Sequence, residues 1–71
     1  MIERHLAQAE AHVLQGEEHI ARQREIVAEM ERDGHEGAAR TARNLLATFE
    51  LAQESHLLDR SRLRQELAAL K

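Results

Sequence analysis

The chain has 71 residues and a mass of 8.1 kDa, so it forms one domain at most. It contains no cysteine, which excludes a disulfide framework, a thiolate zinc site and a thiol nucleophile. No apolar run approaches the ~18 residues of a membrane span, and the N-terminus lacks the apolar core of a signal peptide. We therefore expect a cytoplasmic protein with no membrane partner. A composition rich in Ala, Leu, Glu, Gln and Arg, without proline, predicts an all-α fold.

The charge distribution argues against nucleic-acid binding. The formal net charge is -3, from 10 basic and 13 acidic residues, and neither half of the chain carries a dense basic patch. The single aromatic residue, Phe49, offers no platform for stacking bases. Arg60, Arg62 and Arg64 could form a local patch, but basic residues near a helix C-terminus are more often there to offset the helix dipole.

Residues 5–32 form a sequence repeat of four heptads: HLAQAEA, HVLQGEE, HIARQRE and IVAEMER. The second column is apolar throughout, which predicts the packed seam of an amphipathic helix. The column three residues further on is small or polar along most of its length and would let a partner helix come close. The apolar column contains Leu6, Val13, Ile20 and Val27, and the column three residues further on contains Ala9, Gly16, Gln23 and Met30.

The pair Asp33-Gly34 predicts the end of the first helix, because glycine readily takes the left-handed conformation that follows a helix C-terminus. We expect helix 1 at about 2–33, a turn at 34–37 and helix 2 at about 38–70. So short a connection forces the helices into an antiparallel, coiled-coil-like hairpin. The predicted apolar stripe of helix 2 contains Ala38, Ala42, Leu45, Phe49, Ala52, His56, Leu63, Leu67 and Leu70.

A two-helix hairpin has no third element to cover its open side, and so small a chain is near the lower limit for independent folding. Leu51 and Leu58 lie on a different side of helix 2 and also need cover. We therefore expect a homodimer that forms an antiparallel four-helix bundle. A larger assembly or a helical protein partner is the alternative.

Five histidines are the one feature that invites chemistry. His5, His12 and His19 begin successive heptads about 10.5 Å apart, so no two of them can bind one metal ion. His56 lies within the helix 2 stripe, opposite about residue 14, which makes His12 its expected neighbour. His12, His56 and Asp59 are thus candidate ligands for a divalent ion, although packed core histidines are the favoured interpretation and we expect no cofactor.

Catalytic motifs are missing from the sequence. His35-Glu36 begins an HExxH motif, but its fifth position is Ala39. The Glu-x-x-His motif of carboxylate di-iron bundles would need a glutamate where Gln53 stands. We therefore expect a protein that is not an enzyme.

The segments GEEHIARQREIVAEMERDGH (16–35) and LLATFELAQESH (45–56) resemble a group of short helical-hairpin proteins of soil alphaproteobacteria that have no assigned activity. The likeness covers most of the chain and includes its spaced histidines and its Gly-His turn. The group commonly has Asp and Thr after that turn, where this chain has Glu36 and Gly37. The resemblance implies a bacterial, cytoplasmic hairpin without catalytic residues.

Three functional hypotheses follow. The leading one is a non-enzymatic helical protein that acts by self-association or by binding a partner helix. The second is a histidine-based metal or pH responder. The third is a nucleic-acid accessory protein that uses the arginines of helix 2.

Overall fold

A computed structural model describes residues 1–70 as two long α-helices packed against each other. Helix α1 spans Ile2–Arg32 and helix α2 spans Glu36–Ala69. Together they form a rod of 55 × 14 × 13 Å. The predicted all-α hairpin is confirmed, although α2 begins two residues earlier than expected.

The turn between the helices is built on Gly34, whose φ of 75° is the left-handed conformation expected there. Its backbone N–H donates to the carbonyl of Glu31, and the N–H of His35 donates to the carbonyl of Met30 at 2.9 Å. These two bonds satisfy carbonyls that the end of α1 would otherwise leave open. Because the chain reverses within three residues, α2 runs back along α1.

The seam of α1 follows the predicted heptad columns. Its buried side chains include Ala9, Val13, Gln23 and Val27. The spacing alternates between three and four residues, as in a coiled coil, so that every seam residue faces α2. The half-buried members of this seam are Ile2, Leu6, Gly16, Ile20 and Met30.

The predicted stripe of α2 is partly wrong. Leu45 is 43% exposed and Leu70 is 70% exposed, and Ala38 and Ala52 are exposed as well. The stripe was drawn through apolar residues, whereas the seam also accepts two long polar side chains whose stems pack between the helices. The observed seam of α2 contains Ala39, Ala42, Leu46, Phe49, Gln53, His56, Arg60, Leu63 and Leu67.

Candidate functional site: the histidine edge

The two long edges of the rod differ in chemistry. One edge, here called the charged edge, contains all the ion pairs that join the two helices within residues 1–70. All of their members are exposed, so each pair adds little stability, about 0–1 kcal/mol. The pairs are Arg24–Glu50 at 3.5 Å, Arg43–Glu31 at 2.8 Å and Arg64–Glu10 at 3.6 Å.

The opposite edge, here called the histidine edge, consists of one column from each helix, with members spaced by seven residues. Near the middle of the rod these columns carry imidazoles and small or apolar side chains. The α1 column contains His5, His12, His19 and Ile26, and the α2 column contains Leu45, Ala52, Asp59 and Glu66.

A cleft of about 110 Å³ lies on the histidine edge at mid-length. At one end of the cleft the ring centroids of His12 and His56 are 5.3 Å apart, with an interplanar angle of 42°. At the other end of the cleft the ring centroids of His19 and Phe49 are 5.6 Å apart. The prediction that His12 and His56 are neighbours across the hairpin is therefore confirmed. The remaining residues that line the cleft are Gln15, Gly16 and Ala52.

Asp59, the third candidate ligand, is engaged elsewhere. Its carboxylate accepts a hydrogen bond of 2.7 Å from Arg62, and this bond raises the pKa of the Arg62 guanidinium. Asp59 lies in a neighbouring groove that His12 also lines. Among the described residues, no three histidine or carboxylate side chains are grouped closely enough to hold a metal ion. The structure thus brings together two of the three candidate ligands.

The arginine trio of α2 does not form a single patch. Arg60 is half-buried in the seam, and its Nε atom is buried without a hydrogen-bond partner. Arg62 binds the carboxylates of Asp59 and Glu66 on its own helix. Arg64 points to the charged edge and pairs with α1. The three side chains are therefore dispersed over different sides of α2.

Two glutamines hold the seam in place, and the heptad pattern predicted a seam position for only one of them, Gln23. Gln23 Nε2 donates to the Ala42 carbonyl at 3.0 Å, and Gln53 Nε2 donates to the Val13 carbonyl at 2.9 Å. Each bond thus joins a seam side chain to the backbone of the other helix. Gln23 shows in the sequence that a seam column can hold a polar residue. This was the signal from which a second seam glutamine could have been predicted.

Gly16 makes room for one of these glutamines. A Cβ atom at position 16 would overlap the Oε1 and Cδ atoms of Gln53. The Oε1 atom is buried and has no hydrogen-bond partner. The Gln53 side chain thus fills the space left by the missing Cβ at Gly16, beside the cleft of the histidine edge.

Comparisons with protein-family models, with curated proteins and with solved structures each find no match to this chain. The resemblance to alphaproteobacterial hairpin proteins stays a prediction. Within residues 1–70, neither helix is long and apolar enough to cross a membrane. The functional argument therefore depends on the geometry of the two edges.

Proposed function

We propose that this protein is a non-enzymatic self-association module, in which two hairpins pair through their histidine edges to form an antiparallel four-helix bundle. The observation that carries the proposal is the difference between the edges. Within residues 1–70, the charged edge is closed by interhelical ion pairs, whereas the histidine edge presents imidazoles and apolar side chains without such pairs. Helices in bundles commonly bury one flanking column besides the seam, and this edge supplies such a column from each helix.

The exposed surface of the chain supports pairing. The hairpin exposes 5358 Å², whereas a folded monomer of this mass typically exposes about 4,500 Å². The excess of about 900 Å² is close to the area that one partner buries in a standard interface, about 800 Å². One face of the rod, 55 by 14 Å, has a footprint of about 770 Å². A single edge is thus large enough to form a stable dimer interface.

The chemistry of the middle of this edge favours a second copy of the chain as its partner. Leu45 and Ala52 of α2 face the same side as His19 of α1, and Phe49 is half-buried between them. A twofold-symmetric dimer would cover these side chains with the same apolar surface from its partner. Interfaces characteristically enclose such a core, poor in charge, within a more polar rim. Here Asp59 and Glu66 would belong to that rim.

The test compares two leucine substitutions of identical chemistry. Light scattering of the native chain should give about twice the 8.1 kDa mass. Leu45→Glu places a carboxylate on the histidine edge and should give a monomer. Leu58→Glu places the same group on the outer face of α2, where Leu58 is 72% exposed, and should leave the dimer intact.

Two outcomes would contradict the proposal. One is a folded native chain that stays monomeric over the micromolar range. The other is a dimer that dissociates with Leu58→Glu but not with Leu45→Glu. That second result would assign the contact to the outer face of α2, which also carries Leu51.

A further inference from the structure

We infer that His12 and His56 form a binding site for one divalent transition-metal ion of the class that prefers imidazole nitrogen, such as zinc, nickel or copper(II). One ligand comes from each helix, so the ion would bridge the hairpin at the end of the cleft. Both ligands belong to the same chain. The site is therefore complete within one chain, although it lies on the edge that the proposed dimer would cover.

The spacing of the two rings fits a shared metal ion. A zinc–nitrogen bond of about 2.0–2.1 Å places the ion about 3.2 Å from the centroid of each imidazole ring. Two such rings at the tetrahedral angle have centroids about 5.2 Å apart. The observed separation between His12 and His56 is 5.3 Å. The two helices thus hold the rings at a separation that a shared ion requires.

The surroundings determine which ion would bind and how. The neighbouring wall of the cleft is formed by Gly16 and Ala52, which leave space for an ion and its bound water. His19 begins the next heptad, about 10.5 Å along α1, and contacts Phe49, so it does not share the ion. Two imidazoles without a third protein ligand favour zinc, nickel or copper over magnesium or calcium, which prefer oxygen. Water completes the coordination.

The charged groups around His12 are compatible with a bound cation. The adjacent groove brings His12 together with Asp59 and Glu66, whose two negative charges outnumber the single positive charge of Arg62. His5 also lines this groove. Because a metal binds only neutral imidazole, protons compete with the ion at both ligands. Binding should therefore weaken as the pH falls.

The experiment is calorimetric titration of the full chain with zinc chloride at pH 7.5. We expect one zinc ion per chain. Loss of a group that only orients a metal ligand weakens metal binding by about 10–100-fold, and loss of the ligand itself should cost at least as much. His12→Ala and His56→Ala should therefore each weaken zinc binding about tenfold or more. His35→Ala, at the exposed turn, removes an imidazole remote from the cleft and should bind zinc like the native chain.

The inference is overturned if zinc gives no saturable binding, or if all three variants bind it equally well. Circular dichroism of each variant shows whether the hairpin remains intact. His12 is exposed, so His12→Ala should keep its helical signal even if His56→Ala does not. The Leu45→Glu variant separates the two proposals, because a monomer that still binds one zinc ion supports the metal site whatever the native assembly is.

Discussion

Gly16 and Gln53 are in contact across the hairpin, so neither residue can be understood alone. Glycine within a helix destabilises it by about 1 kcal/mol relative to alanine. Here the missing Cβ admits the Gln53 amide, which binds the Val13 carbonyl of the opposite helix. The helix-destabilising residue is thus matched by a hydrogen bond between the two helices.

Gly16→Ala should therefore have opposite effects in two backgrounds. In the native chain we expect it to lower the free energy of unfolding by about 1 kcal/mol, because leaving the buried partners of the Gln53–Val13 bond unpaired costs about 2 kcal/mol, which exceeds the gain in helix propensity. In the Gln53→Ala background the overlap is absent, and the same substitution should raise stability by up to about 1 kcal/mol. Urea unfolding of the four proteins measures both effects. Equal effects in the two backgrounds would show that positions 16 and 53 are not coupled.

At single positions, the sequence predicted those contacts across the hairpin that follow from counting residues in both directions from the turn. The turn near residue 35 made His12 and His56 opposite each other, and their rings are in contact. Reasoning failed at Gln53 and Arg60, because a stripe chosen by hydrophobicity excludes polar residues in advance. An amide that binds the opposite backbone belongs to the seam although its composition suggests the surface.

At the scale of elements, the two glycines of the turn region have different roles. Gly34 has a φ of 75°, which only glycine adopts readily. Gly37 lies in the first turn of α2, has no positive φ and has open space where a Cβ would be. The first glycine is required by the backbone, whereas the second only weakens the helix.

We expect alanine to reveal this difference by urea unfolding. Gly34→Ala should lower the free energy of unfolding by roughly 1 kcal/mol, because a residue with a Cβ is strained in the left-handed conformation. Gly37→Ala should raise it by up to about 1 kcal/mol through better helix propensity. If both substitutions destabilise the hairpin, the first turn of α2 requires glycine for a reason that its open surroundings do not provide.

The elements themselves were predictable because each has a local signal. Heptad periodicity identified α1, and Gly34 identified its end. The start of α2 was harder to predict from the sequence, because no side chain caps it and the His35 ring forms no capping hydrogen bond. The face of α2 was missed by one residue at Leu45 and Ala52, because both lie directly beside the seam and are apolar.

At the scale of the whole molecule, assembly should be visible in thermal stability. The buried apolar side chains of one hairpin include three alanines, and larger ones such as Phe49 remain half-buried. If two hairpins pair, the folded state contains two chains, and the melting temperature should rise with protein concentration. A melting temperature that is constant over a hundredfold dilution would contradict pairing.

Phe49 should contribute more to the free energy of unfolding than its half-buried state in one hairpin suggests. At concentrations that favour the dimer, we expect Phe49→Ala to lower the free energy of unfolding by about 3–5 kcal/mol, as for a buried aromatic side chain. Leu51→Ala, at a side chain 66% exposed on the outer face, should change it by less than about 0.5 kcal/mol. A loss below about 1 kcal/mol at Phe49 would place that ring outside any interface.

The antiparallel course of the helices also has a mechanical consequence. The start of α1 and the end of α2 lie together, where His5 and Glu66 line one groove. A force that separates these two ends therefore opens the seam one layer at a time, like a zipper, instead of shearing all layers at once. The peeling front meets the Gln53–Val13 bond first and the Gln23–Ala42 bond second, before it reaches the turn at Gly34.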